Sequence, residues 1–374
     1  MRDEAEHKSD SGAVGFGARR CRDAEGVSAR GGRVEKVRAA VDAPLLVTKP
    51  VNVLWLTGLD SSNAALLVEP DRLRIFTDFR YLEKARSTAA EVVEIPRGLF
   101  SKLPELLPKR IAFESESLVH ASWTALDAAG IETVPTAQLV EGIRAVKEPD
   151  ELDAIRRAAA ITNGMLDRLA EQPFVGRTEA ELAWWIESTM HELGAEGAAF
   201  PPIVAAGPNG ALPHANPGAR TIEEGQTVVV DAAAKVDGYH SDCTRTFATG
   251  PLPDELARSY AVCLEGQLAG LEATRAGRSG RDVDAVAREV IAGAGLGELF
   301  AHGLGHGVGM EIHEQPAMRP ESEDVLAVDG VVTVEPGIYH PGLGGIRIED
   351  LVIIGENEPE VLTTFTKELV TVGR

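Results

Sequence analysis

At 374 residues the chain is long enough for two domains, and 44% apolar with 25% charged residues is the composition of an ordinary globular protein. A formal charge of -21 repels nucleic acid and anionic membrane surfaces, so neither is expected as a partner. No apolar run approaches a membrane span, the charged start Met-Arg-Asp-Glu-Ala-Glu-His-Lys lacks the apolar core of a signal peptide, and Cys21, Cys243 and Cys263 have no metal-type spacing, so a reducing, cytoplasmic setting is expected.

Residues 1–32 are rich in Gly, Arg, Ser, Asp and Glu with scarcely any apolar periodicity, and are expected to form a disordered extension. From Ala43 onward, short apolar runs alternate with turns. Pro44-Leu-Leu-Val-Thr, Val53-Leu-Trp-Leu-Thr, Ala64-Ala-Leu-Leu-Val, Leu73-Arg-Ile-Phe-Thr, Val92-Val-Glu-Ile and Arg110-Ile-Ala-Phe read as strands. Helices are expected over Arg80 to Thr88 and His120 to Ala129. This alternation predicts an α/β domain over 33–146, with no Gly-rich phosphate loop in it.

The charged link Lys147-Glu-Pro-Asp-Glu opens a second domain over 147–374. Helices are expected over Leu152 to about Glu171, after a capping box at Thr178-Glu-Ala-Glu, and over Pro253 to Arg275 and Arg281 to Ala292. Trp184, Trp185 and Ile186 are expected to pack into the core. The remainder reads as strands and turns, an α+β arrangement with helices outside.

That strand-rich region concentrates acids and histidines. Asp231 ends the apolar run Thr-Val-Val-Val-Asp, and Asp242 returns in Gly-Tyr-His-Ser-Asp-Cys-Thr-Arg-Thr. The turn Lys235-Val-Asp-Gly between them predicts a hairpin that sets the two carboxylates side by side. Facing carboxylates repel unless a cation sits between them. Glu335 follows the strand Val331-Val-Thr-Val, and Glu349 shares a strand face with Arg347 in Ile-Arg-Ile-Glu-Asp. His302 and His306 are four apart, a zinc-protease spacing on a helix, but Gly303, Gly305, Gly307 and Gly309 argue for an extended segment instead. His313 follows within twelve positions of His302. Asp231, Asp242, His306, Glu335 and Glu349 form an oxygen-rich set able to hold two divalent cations.

In this order the motifs resemble the metal-dependent pita-bread peptidases, within them the Xaa-Pro branch of aminopeptidase P and prolidase. The resemblance covers nearly everything from Val34 onward, and includes a creatinase-like N-terminal domain through Val53-Leu-Trp-Leu-Thr-Gly and Thr77-Asp-Phe-Arg-Tyr. It implies a dinuclear site with Asp231, Asp242, His306, Glu335 and Glu349 as ligands, Glu335 also serving as general base. By the same resemblance His214, in Leu-Pro-His-Ala-Asn-Pro, and His313 contact substrate and assist catalysis, while His302 and Arg347 flank the proline-side pocket. The Ala-Ala after Asp231, where glycine is common, departs from the pattern without touching a ligand.

The implied reaction is hydrolysis of the bond before proline by a metal-bridged hydroxide, on a proline-containing peptide. Oxygen-dominated ligation favours Mn2+, with Co2+ or Zn2+ as alternatives. The short Gly-Leu-Gly-Gly-Ile-Arg-Ile-Glu-Asp turn leans the reading towards the aminopeptidase, with the dipeptidase as its competitor and a non-catalytic peptide-binding relative further off. The family resemblance also implies a homodimer.

Overall fold

The computed structural model describes residues 30–373. The extension expected over residues 1–32 lies outside that range except for residues 30–32, which open helix α1 (residues 30–39). The chain divides into two compact units, with the boundary between Val140 and Glu141.

The N-terminal unit is built on a six-stranded sheet. Its strands are β1 (Leu45–Val47), β2 (Ala64–Val68), β3 (Leu73–Thr77), β4 (Glu91–Glu94), β5 (Arg110–Glu114) and β6 (Glu132–Thr136), in the order β4-β3-β2-β1-β5-β6. β1, β2 and β3 are antiparallel neighbours, whereas β4, β5 and β6 join in parallel. Leu46, Leu67, Phe76 and Ile111 project into its buried core. Helices α2 (Pro50–Thr57), α3 (Leu82–Ala85), α4 (Leu103–Leu106) and α5 (His120–Ala128) lie between the strands, and α6 (Leu139–Arg144) follows β6.

Val53-Leu-Trp-Leu-Thr is helical, not a strand. It forms most of α2, which starts with Pro50 in its first turn and stops at Gly58, in the left-handed region at φ 78°. Proline costs nothing where the N–H has no helical partner, and glycine reaches positive φ without a Cβ clash. The helix expected over Arg80 to Thr88 shrinks to α3, because Asp78 O accepts from Tyr81 N and its side chain holds Arg80, fixing a turn there. β6 escaped the sequence reading: it carries Pro135 and lies at the sheet edge, where a missing N–H is tolerated.

The C-terminal unit has four long helices, α7 (Pro149–Leu169), α8 (Glu179–Glu192), α9 (Asp254–Ala273) and α10 (Gly280–Gly293). α8 begins with the expected capping box: Thr178 Oγ1 accepts from Glu181 N, and Glu181 accepts from Thr178 N. Ile186 is buried and Trp185 half-buried, but Trp184 is 70% exposed, since consecutive helical positions turn through about 100° and cannot all face one core.

The strands of this unit are β7 (Gly197–Ala198), β8 (Ile203–Ala206), β9 (Thr227–Asp231), β10 (Ala234–Val236), β11 (Tyr239–His240), β12 (Thr244–Ala248), β13 (Gly305–Gly307), β14 (Glu314–Met318), β15 (Val331–Val334), β16 (Gly337–His340), β17 (Gly344–Arg347), β18 (Asp350–Ile353), β19 (Glu360–Val361) and β20 (Val370–Thr371). They form sheets ordered β20-β12-β9-β8, β14-β13-β15-β18-β19 and β11-β10-β7, with a β16-β17 ribbon. The single return strand expected over Tyr239 to Thr246 is broken in two. Asp242 lies in the gap between β11 and β12, outside both strands.

Candidate metal centre

Strand register brings the acids together. Asp231 pairs with Thr244 at the end of β9 and β12. Val334 pairs with Asp350 at the end of β15 and β18, so Glu335 and Glu349 leave that ladder side by side. Glu349 then ties the two sheets, with its backbone N–H donating to Thr244 O at 3.1 Å and Thr244 Oγ1 donating to Glu349 Oε2 at 2.7 Å. His306 sits in β13, its backbone N–H donating to Thr333 Oγ1 at 3.1 Å. A Cβ on Gly305 or Gly307 would collide with the carbonyls of Thr333 and Gln315, so the glycines that flank His306 allow its strand to nest between neighbours. The segment is extended, as the glycine density predicts.

Asp242, His306 and Glu349 each offer a ligand atom within 4.8 Å of the others. His306 Nε2 lies 3.2 Å from Glu335 Oε1 and 3.8 Å from Asp242 Oδ2. Asp231 Oδ2 accepts from Arg347 Nη2 at 2.7 Å. Asp231 Oδ1 and Asp242 Oδ1 are buried and find no hydrogen-bond partner among the described residues. Orphaned carboxylate oxygens at the centre of a protein are costly unless something positive meets them.

The electrostatics say the same. Burial pushes the carboxyls of Asp242 and Glu349 well above the ordinary range, and neighbouring carboxylates push them further, Glu349 acting on Asp242 and Glu335 on Glu349. Burial likewise raises Asp231, partly offset by Arg347. At Glu335 burial is outweighed by the hydrogen bond and charge of His306, which bring it down to about 2. His306 rises in return, its burial overcome by Glu335. A metal ion at Nε2 would take the place of that proton. Three mutually repelling carboxyls, two orphaned oxygens and one imidazole are a donor set that fits hard divalent cations.

Arg347 is the hub on the other side. Besides Asp231, its guanidinium donates to Thr244 Oγ1 at 2.9 Å, Pro213 O at 3.0 Å and the Tyr339 hydroxyl at 3.2 Å. His302 Nε2 pairs with the same hydroxyl at 2.9 Å, and its ring stands edge-on to Phe300. Burial lowers the pKa of His302 and raises that of Tyr339 to about 12, so Tyr339 stays a neutral phenol between them. His313 packs edge-on against His306, with ring centroids 4.4 Å apart. Its pKa is lowered, first by desolvation and then by the nearby His306. Both His214 and His313 are exposed.

Of the nine residues singled out in the sequence, Asp231, Asp242, His306, Glu335 and Glu349 lie in the acidic cluster, Arg347, His302 and His313 stand beside it, and His214 follows Pro213, whose carbonyl Arg347 binds. Thr244, Thr333 and Tyr339 went unnoticed. Thr244 lies within the quoted Asp-Cys-Thr-Arg-Thr, but a hydroxyl that bridges two strands leaves no periodic signal.

Residues 153–356 match metallopeptidase family M24, and residues 33–146 match the creatinase/prolidase N-terminal domain. The chain belongs to metallopeptidase family M24, with a creatinase-like α/β N-terminal part and a pita-bread catalytic fold, and the family implies divalent metal. Among relatives, a Xaa-Pro dipeptidase of Pyrococcus furiosus is 33% identical over 331 residues, 87% of this chain and 94% of that protein. The solved Xaa-Pro dipeptidase from Bacillus anthracis superposes with a TM-score of 0.88 at 35% identity, covering 92% of this chain and 100% of that one. An X-Pro aminopeptidase structure from Thermotoga maritima gives 0.85 at 32%, covering 92% and 99%. No helix among the described residues is long and apolar enough to cross a membrane.

Proposed function

We propose that this chain is a dinuclear metallopeptidase that hydrolyses the bond before proline, with Asp231, Asp242, His306, Glu335 and Glu349 as its ligands. The orphaned oxygens of Asp231 and Asp242 within a ring of repelling carboxyls carry this reading. Two divalent ions supply Lewis-acid polarisation of the scissile carbonyl and lower the pKa of water from 15.7 towards about 7. Mn2+ suits a set of four carboxylates and one imidazole.

The chain's own residues do the rest. Glu335, half-buried beside His306, holds the proton taken from the attacking water and delivers it to the departing proline nitrogen. His214 and His313, on the open face, donate hydrogen bonds to the oxygen on which charge develops. Arg347 orients Asp231 through a charge-assisted hydrogen bond, and with His302 and Tyr339 it forms the wall beside the proline. The domains are assigned to 33–146 and 147–374. A homodimer is proposed, for which Phe79 and Val119, each 65% exposed on the N-terminal unit, offer apolar surface. A cytoplasmic location fits the free, buried thiols of Cys243 and Cys263.

Dipeptides are the proposed preference, because the Pyrococcus furiosus relative and the Bacillus anthracis structure carry dipeptidase names. The aminopeptidase reading retains the short turn between β16 and β17 and the Thermotoga maritima structure in its favour. Turnover of Xaa-Pro against Xaa-Pro-Xaa with added Mn2+ decides between them. Dipeptide turnover at least about tenfold faster is the expected result; cleavage of neither peptide would sink the proposal.

A further inference from the structure

Another carboxylate, remote from the acidic cluster, holds the segment that carries His214. Glu179 is the first residue of α8 and is fully buried. Its Oε1 accepts from Ala206 N at 2.9 Å and Asn209 Nδ2 at 3.0 Å; its Oε2 accepts from Asn209 Nδ2 at 3.0 Å and Gly218 N at 3.2 Å. These donors come from the last residue of β8 and from the start and the end of the segment between β8 and Thr221. The backbone of the same helix end adds to the hold: Glu179 N donates to Arg220 O and Ala180 N to Gly218 O, both at 3.0 Å. Thr178 bridges to Thr221. Pro213 O, next to His214, accepts from Arg347 on the cluster side.

We propose that Glu179 is a positioning residue that sets where His214 stands over the acidic cluster, a role that rests on His214 contacting substrate as assigned above. A segment of this length has no sheet of its own to fix its middle. Closing its start and end onto one buried carboxylate, with Asn209 between, holds the stretch around His214 from the α8 side, alongside the Arg347 bond at Pro213 and the packing of Ala215 against Ala205 and Val229. The carboxylate is chemically required. All its partners are N–H donors, and an amide in its place would turn an NH2 towards Asn209 or Gly218 and leave a buried donor unpaired. Displacement of a catalytic contact by about 1 Å costs as much as about 10²-fold in rate.

The test uses the full-length Mn2+-loaded protein as Glu179→Gln, His214→Ala and the double variant, assayed on an Xaa-Pro dipeptide. Glu179→Gln is expected to lower kcat/KM about 10–100-fold, yet to cost under about threefold in the His214→Ala background, because the group it positions is already gone. Hydrogen exchange without substrate is expected to speed up at least about tenfold at the Ala206 and Gly218 amides, while Val229 in β9 keeps its protection. Equal losses in both backgrounds, or unchanged exchange at Ala206 and Gly218, would overturn the proposal. Undiminished activity of His214→Ala removes the substrate role of His214 and the proposal with it, whereas a crippled His214→Ala with an additive Glu179→Gln loss removes the link to Glu179 alone. Should Glu179→Gln fail to fold, Asn209→Ala, which deletes one half-buried donor, runs the same cycle with a smaller expected loss.

Discussion

Both units bury carboxylates, but the acidic cluster does so by means opposite to those of the N-terminal unit. In the N-terminal unit Asp78 accepts from Arg80 Nε at 2.9 Å, Arg80 Nη2 at 2.7 Å, Arg80 N at 3.0 Å and Asn63 Nδ2 at 2.5 Å, and the Arg80 hydrogen bond holds its carboxyl well below the usual range. Glu69 lies between Arg72 and Arg74, whose hydrogen bonds outweigh its burial and lower it. Glu114 closes the start of α2, accepting from Thr48 N at 2.6 Å, Lys49 N at 2.8 Å and Asn52 Nδ2 at 2.7 Å. In the C-terminal cluster Asp242 and Glu349 face other carboxylates and are raised. A buried acid is thus no sign of a site by itself. What it faces decides: donors make it a structural clamp, other acids make it a cation's cradle.

The largest expected effect separates these roles outright. Glu335→Ala should lower kcat/KM on an Xaa-Pro dipeptide by about 10³-fold or more at saturating Mn2+; retention of even a tenth of the activity would remove Glu335 from the chemistry. Asp78→Asn should leave kcat/KM within about twofold while lowering the melting temperature, a split that a catalytic residue would not show.

Next comes metal linkage. In chelator-treated protein, Asp242→Asn should raise the melting temperature by about 2–4 °C, because a neutral amide ends the repulsion with Glu349. The same variant should lose most of the stabilisation that Mn2+ gives the unaltered chain, which scales as RT ln(1 + [L]/Kd). A melting temperature that falls on this substitution would mean that Asp242 is a clamp like Asp78.

The acid limb of stability tests the other half of the comparison. The folded carboxyls of Asp78 and Glu69 lie below their unfolded values, so their contribution is present above about pH 4 and is lost as pH falls through the folded values. Asp78→Asn should flatten the dependence of melting temperature on pH below about pH 4. An unchanged slope would break the clamp reading. Among the site variants the smallest loss is expected from Tyr339→Phe, about 3–10-fold in kcat/KM, since Arg347 and His302 lose one shared partner while the metal set is untouched.

The cluster was legible in the sequence because Asp231 and Glu335 end apolar strands and His302 and His306 sit among glycines, local contrasts that survive in one dimension. The helix α2 was misread because a five-residue apolar run fits either period, although Pro50 and Gly58 already marked its two ends. Trp184 was placed in the core by hydrophobicity alone, where helical phase puts it outside. Tyr339, Thr244 and Glu179 were invisible for a different reason. Their partners lie far along the chain, and a buried hydrogen bond between distant positions leaves no pattern in either local segment.

The register that joins Thr244 to Glu349 has a consequence for biosynthesis. Asp231 and Asp242 leave the ribosome roughly a hundred residues ahead of Glu335, Arg347 and Glu349, a delay of roughly 5–20 s at about 5–20 residues per second. Throughout that interval β9 and β12 can pair, yet the emerging hairpin holds two acids without the arginine that orients one of them or the glutamate that completes the cradle. The donor set proposed above is therefore complete only after the last of these strands has left the ribosome.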